Sequence, residues 1–102
     1  MFYCPRLNEW VALHYDRLQH LENKHLRSTG TGSKFLRSSD YFELIKLTLL
    51  NGTVFRSDRD AVTFLLHTSS LVGYTPRGRR CYSVRVTVGR RPIEIVTAYP
   101  VP

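Results

Sequence analysis

The sequence predicts an α+β fold, with two N-terminal helices packed on an antiparallel meander of about four strands. Three observations lead there. Apolar residues recur at spacings of three and four through the first half of the chain, and at a spacing of two through the second. The change of period falls at Asn51-Gly52, a pair suited to ending a helix. With 102 residues, 42% of them hydrophobic, the chain is long enough for one modest core and shows no repeat or linker. We therefore expect a single domain over residues 1–102, helical from about 8 to 50 and sheet from about 53 to 102.

Asn8 is placed to cap a first helix running to about His25. Val11, His14, Leu18, Leu21 and His25 would form its buried stripe, with His20 pointing well away. The loop Arg27–Lys34 follows, with Gly30 and Gly32 supplying backbone freedom. Asp40 and Glu43 have capping-box spacing, and a second helix over Tyr41–Leu50 would bury Leu44, Ile45, Thr48 and Leu49. Val62–Leu66 and Leu71–Thr75 read as short strands, and Pro76-Arg77-Gly78 as a turn. Tyr82, Val84, Val86 and Val88 alternate with Ser83, Arg85 and Thr87, the pattern of a half-buried strand. Gly89–Pro92 turns the chain into a last strand, Glu94–Tyr99, where Thr97 and Tyr99 share a face.

Charge is the strongest bulk signal. The net value is +7, and twelve of the fifteen cationic residues are arginine. No Asp or Glu occurs from Ala61 to Ile93, where Arg77, Arg79, Arg80, Arg85, Arg90 and Arg91 all lie. Guanidinium groups match phosphate bidentately, so a basic stretch of this kind points to a polyanion, most simply nucleic acid. A solvated face that meets an acidic protein is the plainer alternative. Cys4 and Cys81 have no metal-ligand spacing and read as two buried thiols, with a disulfide left open. The histidines form no zinc motif, so neither a metal nor another cofactor is expected. No apolar run approaches the ~20 residues of a membrane span, and MFYCPRLNEW lacks the features of a secretory signal. Export would need another machine or a larger parent polypeptide.

Metal-free RNA cleavage needs a base for the 2′-hydroxyl, an acid for the leaving oxygen, a cation for the phosphorane and donors that orient the phosphate. Histidine suits proton transfer near neutral pH, Lys or Arg the cationic role, and hydroxyl side chains the last. His25, His20, Lys24, Lys34, Arg37, Ser33, Thr97 and Tyr99 form the pool for those roles. Taken singly, His25 on an apolar stripe is an ordinary core histidine, His14 is structural, His67 is a surface residue and Lys34 is a solvated loop residue.

A resemblance sharpens this pool. His20-LENK-His25, Gly30-Thr31-Gly32-Ser33-Lys34-Phe35, Val72-Gly73-Tyr74-Thr75 with Gly78, Val84-Arg85-Val86 and Thr97-Ala98-Tyr99-Pro100-Val101 occur in that order. Together they resemble the C-terminal ribonuclease toxin domains of bacterial polymorphic and contact-dependent inhibition systems. Both the barnase–EndoU–colicin–RelE group and a ribonuclease A-like group are similar. The resemblance implies a helical part followed by an antiparallel sheet, and metal-independent cleavage of RNA, with tRNA the first substrate to try. It implies catalytic work for His25, contact of Thr97 and Tyr99 with the scissile phosphate, and a role for the polar pair Ser33 and Lys34. The chain departs from the pattern in having no second histidine near Thr97. That proton-transfer role falls to His20, a lysine (Lys24 or Lys34), an arginine such as Arg37, or Tyr99. The resemblance further implies a cognate, acidic immunity protein and action in the cytoplasm of a target cell. A non-catalytic RNA- or DNA-binding module explains the charge equally well, and a protein-interaction module is the third expectation.

Overall fold

A computed structural model describes residues 1–22, 32–36 and 40–102. It corrects the expected architecture: the described residues are mostly β, and among them nine strands form three separate sheets accompanied by two helices.

The first departure is at the N-terminus. Strand β1 (Phe2–Cys4) pairs antiparallel with β2 (Glu9–Val11), placing Tyr3 opposite Trp10. Their rings meet edge to face with centroids 5.3 Å apart, a cross-strand pair that supports the hairpin. Asn8 does not cap a helix. It sits in the turn at φ 53°, a left-handed conformation that asparagine tolerates, and its Oδ1 accepts a hydrogen bond from Tyr3 OH at 2.6 Å. Asparagine favours helix caps and tight turns for the same reason, a short side chain that bonds nearby backbone or side-chain groups. Here the aromatic pair decides for the turn.

Helix α1 spans Tyr15–Leu21, with His14 at its N-cap in an extended conformation. Of the expected stripe, Leu18 and Leu21 lie on this helix and Leu21 is fully buried. Val11 belongs to β2, and His25 lies outside the described residues. The segment before α1 is stitched to the end of the chain: Ala12 N–H donates to Ile93 O at 3.4 Å and Ile95 N–H to Ala12 O at 2.8 Å.

Helix α2 (Tyr41–Asn51) buries Tyr41, Ile45, Thr48 and Leu49, with Leu44 half-buried. Asp40 stands at its N-cap without a side-chain capping bond. Gly52 ends it in an extended rather than left-handed conformation, and glycine is needed there for space, since a Cβ would lie 2.5 Å from Thr48 O. The helix packs on one face of the largest sheet, formed by β4 (Thr53–Ser57), β5 (Ala61–His67), β8 (Ser83–Arg90) and β9 (Ile93–Val101) in the order β4-β5-β8-β9. Val62 and Phe64, then Val84, Val86 and Val88, then Ile95 and Ala98 fill that face. Each large aliphatic residue so buried stabilises the fold by roughly 1.5–3 kcal/mol. A bulge where Thr87 pairs Thr97 but Val88 pairs Ile95 leaves Val96 as the extra residue and keeps Thr97 and Tyr99 on the opposite face.

Between β5 and β8 the chain makes a small sheet. Strand β6 (Gly73–Tyr74) pairs with both β3 (Lys34–Phe35) and β7 (Arg80–Cys81). The expected strand Leu71–Thr75 shrinks to β6. The turn at Pro76–Gly78 is present, with Gly78 at φ 83° and its N–H bonded to Thr75 O. Gly73 admits no side chain, since a Cβ would fall 2.1 Å from Lys34 O and 2.7 Å from Pro100 Cγ. Pro100 is accommodated in β9 because that strand lies at the sheet's edge. Cys4 and Cys81 are both buried and unbonded to each other, so the disulfide left open by the sequence is absent.

Candidate functional site

The face of the large sheet turned away from α2 stays uncovered along part of its length, and it bears the polar members of each strand. Three rows cross it: Thr63, Thr87 and Thr97; Leu65, Arg85 and Tyr99; His67, Ser83 and Val101. Thr63 and Thr87 join their hydroxyls at 2.9 Å, and His67 Nδ1 meets the buried Ser83 hydroxyl at 2.7 Å.

At the β9 edge of this face lies a cleft of about 540 Å³. Helix α1 contributes Arg17 and His20, three residues apart and therefore on one face of the helix. Gly32 and Ser33 approach from the irregular segment just before β3, Pro76 from the arginine-bearing turn, and Val96, Thr97 and Tyr99 from β9. The sequence-derived candidates Ser33, Thr97 and Tyr99 are thus brought to one hollow. His20 joins them: it points away from the buried side of α1, but towards the cleft. Lys34 does not line this hollow; it lies in β3 opposite Tyr74. Lys24, His25 and Arg37 lie outside the described residues. Arg17 escaped sequence reasoning, although its i, i+3 spacing to His20 was a signal available for it.

A second hollow of about 460 Å³ shares Arg17 and His20, and is completed by His14, Asp16 and Glu94. There His14 Nε2 lies 3.0 Å from Glu94 Oε2. His14 is exposed and paired with the β9 carboxylate, where the sequence placed it on a buried stripe. A third hollow of about 340 Å³ adjoins the cleft across Tyr99 and is lined by Phe55, Arg56, Asp58, Thr63, Arg85 and Thr87.

Arg85 is central to this face. Its guanidinium lies over the Phe55 ring at 4.4 Å and over the Tyr99 ring at 5.8 Å, and Nη1 donates to Tyr99 OH at 3.2 Å. The other arginines do not gather into one patch. Arg77, Arg79 and Arg80 are exposed in the β6–β7 turn and β7, just before β8, whereas Arg90 and Arg91 lie at the far end of β8, a strand about 23 Å long at strand rise. Arg90 is structural: Nε donates to Asp58 O and Nη2 to Ser57 Oγ, both at 2.8 Å, clamping the β4–β5 turn.

Among the described residues, no three His, Cys, Asp or Glu side chains are placed to hold a metal ion, and no helix is long and apolar enough to cross a membrane. Comparison with protein-family models, curated proteins and solved structures finds no match to this chain.

Proposed function

We propose that the chain is an endoribonuclease toxin that cleaves RNA without a metal, by attack of a 2′-hydroxyl on its own phosphodiester. The observation that carries this reading is the cleft in which His20, Arg17, Ser33, Thr97 and Tyr99 meet at the edge of the sheet face that bears Arg85. Those side chains supply a proton carrier, a permanent cation and three hydroxyls, the set that such a reaction uses.

In the proposed reaction a base removes the 2′-hydroxyl proton and O2′ attacks phosphorus. The P–O5′ bond then breaks as an acid protonates O5′, leaving a 2′,3′-cyclic phosphate and a 5′-hydroxyl. His20 takes one of the two proton-transfer roles, and the resemblance alone assigns the other to His25. Arg17 neutralises the phosphorane charge, while Thr97, Tyr99 and Ser33 orient the phosphate. The resemblance also makes tRNA the first substrate to test and an acidic immunity protein the expected inhibitor.

Purified protein incubated with total RNA in EDTA is expected to yield cyclic-phosphate ends. His20→Ala should slow cutting roughly 10²- to 10⁴-fold with the fold intact. Strict dependence on added Mg²⁺, or an unchanged rate in the His20 variant, would sink the mechanism. A non-catalytic RNA-binding module is the second reading, favoured by the exposed Phe55 backed by Arg85. It predicts salt-sensitive binding, no cutting, and no effect of His20→Ala.

A further inference from the structure

The hollow beyond Tyr99 has features that the cleavage chemistry leaves unused. Phe55 is 53% exposed in the middle of a strand, a large aromatic side chain that contributes little to the core. The Arg85 guanidinium steadies the ring from 4.4 Å, and an aromatic face of this kind stacks readily on a planar base. Arg85 also lines the hollow, with Nη1 donating to Tyr99 OH, although its Nε is buried and has no hydrogen-bond partner among the described residues.

The remaining walls carry both donors and acceptors. In the Thr63–Thr87 pair one hydroxyl donates to the other, leaving one hydroxyl hydrogen and several lone pairs for a third group. Asp58 lines the hollow with a carboxylate, and Arg56 with a second guanidinium beside that of Arg85. A carboxylate there repels phosphate but accepts from the amino or imino groups of a base edge. The mixture of an aromatic platform, paired hydroxyls, two arginines and an acid suits a heterocycle, whose edge carries both donors and acceptors and whose face can stack.

We propose that this hollow is a nucleobase subsite, in which a base next to the phosphate held in the His20 cleft stacks on Phe55 and is read at its edge by Arg85, Thr63, Thr87 and Asp58. The inference rests on the ribonuclease reading only in taking the strand to be RNA and the neighbouring phosphate to be the one cut. Tyr99 borders both hollows, which sets base and phosphate side by side on one strand of nucleic acid.

The test uses single-stranded 2′-deoxy tetranucleotides, which lack the attacking hydroxyl and cannot be cut, and counterparts with one abasic position moved along the chain. Calorimetric titration of the whole protein should show one position at which removing the base weakens binding roughly five- to hundredfold. Phe55→Ala should abolish that position's effect and Phe55→Trp should retain it, with melting curves confirming that both variants fold. Equal binding of all abasic and intact oligonucleotides would overturn the subsite, as would a preference undiminished in Phe55→Ala. The two readings fail separately. RNA left uncut by a protein that keeps the Phe55-dependent preference overturns the ribonuclease and leaves the subsite standing. RNA cut by Phe55→Ala with unchanged sequence preference overturns the subsite and leaves the ribonuclease standing.

Discussion

Asp58 shows how one side chain can serve as both a turn device and a wall of the site. Its Oδ1 accepts from Asp60 N–H at 2.8 Å and Ala61 N–H at 2.9 Å, and these bonds, with Arg56 and Arg90 nearby, hold the carboxyl below its ordinary range. The folded state therefore binds the proton less readily than the unfolded chain. The resulting stability is present above the ordinary carboxylate pKa and is lost as pH falls through the depressed folded value. Melting temperature should consequently drop from about pH 5 towards pH 3, and more gently in Asp58→Ala. Identical pH profiles would remove Asp58 from the explanation. Tyr41 is the opposite case. Its buried hydroxyl has no partner among the described residues, and burial, reinforced by Glu22, pushes its pKa far above the usual tyrosine range. Its ring still packs edge to face on Phe35 and Phe42. Tyr41→Phe should leave stability unchanged or raise it by up to about 1 kcal/mol in a denaturant titration, whereas a clear loss would reveal a hidden partner. At this scale Thr97 and Tyr99 were legible, because a period of two places them together whatever surrounds them. His20 was legible only as one candidate among several for the second proton-transfer role. Its bearing towards β9 depends on how α1 docks, which no local pattern encodes.

Elements differ in how much of themselves they write into the chain. Helix α2 and strands β5, β8 and β9 are long enough to display a period, and each falls close to where the alternation puts it. Strands β3, β6 and β7 have two residues each, too few to display one. The N-terminal hairpin was misread as helix because Val11, His14, Leu18 and Leu21 fit helical spacing by coincidence across a strand, a cap and a short helix. What distinguishes it is the Tyr3–Trp10 pairing, seven residues apart in sequence and visible only once the turn is made. The small sheet is instead specified by one residue that fits no period. Gly73 passes over Pro100 with no space for a methyl group. Gly73→Ala should destabilise by about 1–3 kcal/mol, read from thermal or denaturant unfolding, and should displace β6 from β3 more than it disturbs β8. Hydrogen exchange would locate the loss, and uniform protection in the variant would contradict this account.

For the molecule as a whole, the arginines contiguous in sequence are divided in space. The group at the start of β8 adjoins the His20 cleft through Pro76, whereas Arg91 is exposed at the other end of the strands. Under the proposed function, Arg77→Ala and Arg79→Ala should each weaken RNA binding and lower the salt slope by about 1, while Arg91→Ala does much less. Equal effects at both ends would mean that RNA follows the full length of the sheet. The two thiols belong to this scale as well, since both are sealed in the core. Burial raises the Cys81 pKa despite Arg79 nearby, so thiol reagents should react with the folded protein only as fast as it opens.

Strand β9 has a consequence for how well the proposed site keeps its dimensions. One end of the strand holds the α1 segment, through Ile93, Glu94 and Ile95; a few residues later the same strand presents Thr97 and Tyr99. The imidazole and the hydroxyls are therefore surveyed from a single datum. If β9 were to slide against β8, both would travel together and the gap between them would hold, while Arg85 would be left behind. Alignment across the cleft is thus protected from small errors in sheet assembly, and alignment with the hollow beyond Tyr99 is where such an error would register.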